Sequence, residues 1–292
     1  MNPAIIVPLD GSSAAEQALP YANALAQRSG GSLQLISVIE IPHDFGEWSM
    51  GGAGAFGGAD VDRWLAESEA YLKGVAERID GGPAATVVKL GSPAGEIRNL
   101  ARSVDNPVIV MASHGRSGPA RFFLGSVAVK VVHDAGCPVL VVRAREQAAA
   151  RQPAFDRILV PLDGSEFGDV ALTRATAVFG EQLTLHLVRV IEAPAIPIAG
   201  MGGGVPLDHG LVAEYLDATR DLANEHLQKT QERLASAGHT VTVETREGQV
   251  AEAILKAANE QQVDAIAMAT HGRGGVGRLV FGSVAERVLQ QA

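Results

Sequence analysis

Short runs that are apolar at every position alternate along the chain with longer stretches whose apolar residues recur at helical spacing. Ala4 to Leu9 is the first such run. It reads as a central parallel strand, because only a strand buried on both faces dispenses with polar alternation. Pro8 marks its C-terminal end, where a missing N–H does no harm. Asp10-Gly11-Ser12 makes the turn, and Ser13 with Glu16 spells a capping box for a helix through Ala22, Leu25 and Ala26 that stops at Ser29-Gly30-Gly31. The pattern continues with a strand from Leu33 to Ile39, a helix from Val61 to Ile79 and a strand from Ala85 to Leu90. A helix from Ala94 to Ser103, a strand from Val108 to Ala112, a helix from Ser126 to Asp134 and a strand from Val139 to Val142 complete it. Alternation of this kind predicts an α/β fold, an open parallel sheet with helices on both faces.

The pattern then repeats. Ile5-Ile6-Val7-Pro8-Leu9-Asp10-Gly11-Ser12 returns as Ile158-Leu159-Val160-Pro161-Leu162-Asp163-Gly164-Ser165. Met111-Ala112-Ser113-His114-Gly115-Arg116, followed by Gly125-Ser126-Val127, returns as Met268-Ala269-Thr270-His271-Gly272-Arg273, followed by Gly282-Ser283-Val284. The offset is 153 residues for the aspartates and 157 for the Gly-Ser pairs. Two elements kept in order at nearly one offset indicate a tandem duplication of whole domains. We expect domains at 1–145 and 154–292, with an Ala-, Arg- and Gln-rich linker between them. In the second copy the strands fall at 157–162, 183–191, 240–245 and 265–269, and the helices at 167–179, 211–237 and 250–259. Nothing there matches Cys137 to Val142, so either this domain lacks its last strand or the chain stops short of it. An open sheet edge would need cover from another strand, domain or subunit.

The second repeated element carries the candidate chemistry. In each copy an apolar strand ends in a small residue and His-Gly, nine residues follow, and Gly-Ser opens a new helix. Glycine lets backbone N–H groups approach a ligand closely, and a helix start offers unpaired donors at the positive end of its dipole. That combination suits phosphate.

Composition narrows the class. With 292 residues, 47% hydrophobic and 20% charged, the chain is ordinary globular protein. Its formal net charge of −9 argues against nucleic acid as the main partner. Cys137 is the single cysteine, which permits no internal disulfide and suits a reducing compartment. The start runs directly into a strand, and no apolar run reaches membrane-spanning length, so a cytoplasmic protein is expected. Two Gly-rich inserts, 42–59 and 194–210, read as loops that act as flaps. The Gly52-Ala53-Gly54-Ala55-Phe56-Gly57 match to the dinucleotide pattern has no preceding strand and is discounted, as is the match at Gly272 to Gly277, which its sister copy lacks.

Taken together, strand-Asp-Gly-Ser and then Gly-x2-Gly with nine residues before Gly-Ser resemble the universal stress protein family in its tandem form. The resemblance covers nearly the whole chain and implies strand order 3-2-1-4-5, with an adenine nucleotide between strands 1 and 4. An open parallel sheet binds ligands at that point on general grounds, where its strand order reverses. Carried over by resemblance, Asp10 and Asp163 sit at the nucleoside and Val38 and Val190 against the base. Met111 and Met268 lie near base and ribose. Gly115, Gly125 and Ser126, with Gly272, Gly282 and Ser283 in the second copy, hold the phosphates; Arg116, Arg121, Arg273 and Arg278 are charge partners or solvated surface residues, and Ala112, His114, Val127, Ala269, His271 and Val284 complete the nucleotide sites. The first motif position is Ala112 or Ala269 where nucleotide-binding members usually carry Gly, a change of one methyl group. The implied ligand is ATP, ADP or AMP, with Mg2+ as an optional companion, and the implied assembly a homodimer acting as a stress-response switch.

Each residue has a plainer reading too. Asp10 and Asp163 satisfy backbone donors at a helix start equally well. His114 and His271 have no nucleophile around them, which favours loop shaping or ligand contact over catalysis. No Gly-Lys-Ser/Thr is present, and the loops offer arginine but no lysine and no clear base, so slow hydrolysis is the most expected of them. A hydrolase of the wider adenine-nucleotide group would carry Ser-Gly-Gly after strand 1, where this chain has Asp-Gly-Ser. A nucleotide-free dimerising scaffold is the remaining alternative.

Overall fold

The computed structural model describes residues 2–40, 58–80, 84–115, 124–143, 153–192, 209–270 and 282–292. The chain divides into two units, Met1–Pro153 and Ala154–Ala292. Both inserts, including the Gly52 to Gly57 stretch, lie almost wholly outside the described residues.

In the first unit the order is β1 (Ala4–Pro8), α1 (Ser13–Glu16), α2 (Leu19–Ser29), β2 (Ser32–Ile39), α3 (Gly58–Ala76), β3 (Ala85–Leu90), α4 (Pro93–Ser103), β4 (Pro107–Ala112), α5 (Ser126–Asp134) and β5 (Val139–Val142). The sheet runs β3-β2-β1-β4-β5 and every pair is parallel. Strand β1 is central, with Ile5 opposite Leu33 on one side and Val108 on the other. This is why Ile5, Ile6 and Val7 are all fully buried. On one face Ile6, Ile36, Ile109 and Met111 pack against Ile97 and Ala101 of α4 and Ala128 and Val131 of α5. Cys137 packs against the same cluster, and burial pushes its thiol up to about 11, so it is a poor nucleophile.

The second unit holds β6 (Arg157–Pro161), α6 (Glu166–Phe179), β7 (Thr184–Ile191), α7 (His209–Ser236), β8 (Thr240–Glu247), α8 (Val250–Glu260), β9 (Ala265–Ile266) and α9 (Ser283–Gln291). Its sheet runs β8-β7-β6-β9, and among the described residues no strand pairs with the far side of β9. One consequence is visible in burial. Strand β4, flanked on both sides, buries five of its six residues, whereas residues 263–270 around β9 are only half-buried. The expected strand through Ala269 narrows to two residues, since β9 is paired on the β6 side alone among the described residues. No helix among the described residues is long and apolar enough to cross a membrane.

Two local expectations are corrected. The helix after β1 is capped by Ser12, whose Oγ accepts the Ala15 N–H at 3.1 Å, and not by Ser13 with a Glu16 box. Glu16 instead accepts the Tyr71 hydroxyl at 3.0 Å and pairs with Arg78, tying α1 to α3. That helix also breaks after Glu16 and restarts at Leu19, with Pro20 in its first turn, where the absent N–H is harmless.

The copies differ most in a polar network on β7 and β8. His186 pairs with Thr242 in the register where Gln34 pairs with Ala85. Its Nδ1 lies 2.6 Å from Thr242 Oγ1, and its Nε2–H donates to Glu244 at 3.0 Å. Glu244 also pairs with Arg246, which in turn reaches Glu260. Burial pushes the Glu244 carboxyl up, but hydrogen bonds from Arg246 and His186 outweigh it and bring it below its ordinary 4.5. A carboxylate lowered in the folded state stabilises the fold above about pH 4.5, and that contribution is lost as pH falls through the lower folded value. Glu244→Gln should therefore lower the Tm relative to the parent at pH 7, and the gap should shrink as pH falls below 4.5. A gap independent of pH would contradict this assignment.

Candidate functional site

The C-terminal ends of β1 and β4 meet where the sheet order reverses, and the candidate residues gather there. After β1 the chain turns through Gly11, whose φ of 81° only glycine adopts without strain. The turn is held by Asp10: its Oδ1 accepts the Ser12 N–H at 3.0 Å and the Ser12 Oγ–H at 2.6 Å. The second copy repeats this geometry, with Asp163 Oδ1 accepting from Ser165 N at 2.9 Å and Oγ at 2.5 Å. Ser165 then caps α6 by accepting the Gly168 N–H. One carboxylate oxygen of each aspartate is thus committed to the plain structural reading. The other oxygen of Asp10 faces the β4 loop.

Gly115 is what it meets. A Cβ built on Gly115 would fall 2.1 Å from Asp10 Oδ2, far inside van der Waals contact. The backbone of the β4 loop therefore lies directly against the β1 turn, and only glycine permits it. Ser113 is buried; its N–H donates to Val142 of β5 at 2.7 Å, and its Oγ lies 3.1 Å from His114 Nδ1. Its carbonyl accepts the Gly125 N–H at 2.7 Å. That bond clamps the two ends of the loop together. In the second copy the Gly282 N–H donates to the Thr270 carbonyl at 2.8 Å.

The clamp delivers the starts of α5 and α9 to the same end of each sheet. Gly125 and Gly282 are their N-caps, and neither helix has a side-chain cap. The first N–H groups of each helix, at Ser126 and Val127 and at Ser283 and Val284, lie ahead of the first i→i−4 bonds, which Val129 and Glu286 make. A Cβ on Gly125 would sit 3.3 Å from the Ser113 carbonyl oxygen and 3.4 Å from His114 Cα, so larger side chains have no room. With two clustered N–H donors and the dipole's positive end in each copy, this geometry suits a phosphate oxygen.

The apolar candidates divide. Met111 belongs to the buried cluster beneath α4 and α5, and Val38 and Val127 pack at its margin. Ala112 is buried, and strand alternation points its methyl away from the Met111 face. In the second copy Val190, Met268 and Val284 pack at the margin of the corresponding cluster, while Ala269 is half-buried. Arg116, Arg121, His271, Gly272, Arg273 and Arg278 lie outside the described residues. Sequence reasoning missed Ser12 and Ser165 as the side chains that lock the aspartates. The signal was present, since an Asp two residues before a Ser that opens a helix is an Asx-turn pattern. Tyr71 was missed for want of any local signal, being brought to Glu16 only by packing.

Comparison with known proteins places the chain in a family. A family model described as the universal stress protein family matches residues 1–143 and 154–292. A universal stress protein of Synechocystis sp. is 30% identical over 149 residues, 48% of this chain and 96% of that protein. One from Mycobacterium tuberculosis is 31% identical over 188 residues, 63% of this chain but 59% of its own length, so the match spans less than two thirds of it. The crystal structure of a universal stress protein from Archaeoglobus fulgidus covers 99% of this chain and 95% of its own, at 25% identity and a TM-score of 0.70.

Proposed function

Because the chain belongs to the universal stress protein family in tandem form, we propose that each half binds one adenine nucleotide, ATP, ADP or AMP, and that occupancy switches the protein's shape or partner under stress. The observation that supports this reading is the helix start without a side-chain cap, clamped at the strand-order switch against the end of β4 by Ser113 and Gly125 and against the end of β9 by Thr270 and Gly282. Ser126 and Val127 would hold phosphate in the first half, and Ser283 and Val284 in the second. Mg2+ would accompany the phosphates. The Asp10 oxygen that faces Gly115, and its counterpart on Asp163, would meet the nucleoside. Within the described residues these loops supply backbone donors without a paired general base and nucleophile, which favours a bound or slowly hydrolysed nucleotide over turnover at enzyme rates. On this reading the protein works in the cytoplasm, as a homodimer.

The test is to denature the purified chain and identify released nucleotide by mass spectrometry. Close to two adenine nucleotides per chain are expected after loading with ATP. Gly125→Val and Gly282→Val should each remove one, because branched side chains there would crowd the clamp. If added ATP neither binds nor raises the Tm, the nucleotide reading fails and a scaffold role replaces it.

A further inference from the structure

The two halves carry the same helix in the same place, so each serves as a control for the other. In α3 Tyr71 reaches Glu16, and in α7 His226 stands 3.8 Å from Asp169. The next residues, Leu72 and Leu227, are both buried. This equivalence carries Asp60, Arg63 and Glu67 of α3 onto Tyr215, Ala218 and Leu222 of α7. Spacing of three and seven residues puts each trio on one stripe of its helix. In α3 the stripe is an ion-pair ladder, with Arg63 3.5 Å from Asp60 and 3.8 Å from Glu67. Water suits it. In α7 the stripe is apolar and open: Tyr215 is 54% exposed, Leu222 is 69% exposed, and Ala218 is exposed with them.

The border of that stripe carries the second observation. Glu214 and Asp221 flank it on its solvent side, both exposed and with no ion-pair partner among the described residues. The cation nearest in sequence, Arg220, is already held by Asp217 and Glu247 on the other side of the helix. An apolar stripe rimmed by unpaired negative charge is complementary to a basic amphipathic segment.

We propose that the α7 stripe docks a basic amphipathic segment of a partner protein. Its apolar side chains seat on Tyr215, Ala218 and Leu222, and its Lys or Arg residues pair with Glu214 and Asp221. A second copy of this chain fits worse, since it would set acid against acid in a protein of net charge −9. Anionic lipid is repelled for the same reason. The contact is small, so the complex belongs to the weak and transient class.

The probe is a fluorescein-labelled amphipathic peptide of leucine and lysine, about 18 residues long, titrated with the full chain and read by anisotropy. A twin peptide with leucines replaced by serines separates seating from charge. The chain should bind the leucine peptide at least roughly tenfold more tightly than the serine twin, because burying a large aliphatic side chain is worth that or more. Tyr215→Asp with Leu222→Glu, the residues of the first half, should remove that preference and leave the Tm unchanged, both sites being exposed. The reciprocal Asp60→Tyr with Glu67→Leu should create no second site, because Arg63 stays in that stripe and Ala59 and Ala66 stand where α7 has Glu214 and Asp221. Equal binding of both peptides, or binding unaffected by the double substitution, would overturn the proposal. So would self-association or zwitterionic vesicle binding that the same double substitution abolishes, since either names another occupant.

Discussion

Replacing Gly115 with alanine is expected to destabilise the first unit by about 1–3 kcal/mol and, on the function proposed above, to abolish nucleotide binding there while leaving the second site loaded. The new methyl would sit 2.1 Å from Asp10 Oδ2. The carboxylate cannot simply swing away, because its other oxygen is bound to both the N–H and the hydroxyl of Ser12, which in turn caps α1. Either the cap breaks or the loop that leads to Gly125 moves, and both outcomes disturb the clamp. Asp10→Ala removes the obstacle, at the cost of the turn. The double substitution Gly115→Ala with Asp10→Ala should therefore be less destabilised than the two singles predict together, by about 1 kcal/mol or more in a denaturant-unfolding cycle. Additive singles would mean that the two residues do not press on each other in solution. Mass spectrometry of released nucleotide reads the functional half of the prediction.

The second large effect lies in the second unit. Phe155 is fully buried and stacks on Phe179 at 5.1 Å between ring centroids with a 36° tilt. Its backbone is left-handed, with φ 54°, which an L-residue adopts at a cost that surrounding packing must offset. Phe155→Ala keeps that cost and deletes the packing, so a loss of about 3–5 kcal/mol is expected. Phe155→Leu, which leaves a smaller void, should lose less. Hydrogen exchange read by mass spectrometry should show faster exchange in peptides from β6 and β7, with β1 and β2 unaffected. A loss below about 1 kcal/mol would mean that the ring is not an anchor of this core.

Much of this was legible in the chain. The runs at Ile5 to Val7 and Ile158 to Val160 are apolar at every position, and such runs have one comfortable place, the middle of a parallel sheet with helices on both sides. Turn chemistry is equally local: Asp-Gly-Ser closes on itself through bonds that span two residues, so the sequence names its partners. Gly125 and Gly282 announced helix starts for the same reason. The capping residue itself was misread by one position, because Ser12 and Ser13 are chemically alike and only the turn at Gly11 decides which of them faces the helix N–H groups.

The sequence by itself determined the duplication, the parallel sheets, the element order and the two loops that end in Gly-Ser, since each rests on periodicity or on contacts within a few residues. Tertiary structure alone decided what depends on residues far apart in the chain. It set Gly115 against Asp10, gave Glu16 to Tyr71 and Arg78, and turned His186 and Glu244 into a linked pair where the first half has Gln34 and Val87. It also left Tyr215 and Leu222 open to water, although their helical spacing reads like that of a buried face. The physical reason is the same throughout: periodicity states which face of an element is apolar, but only the packed chain determines whether anything covers it.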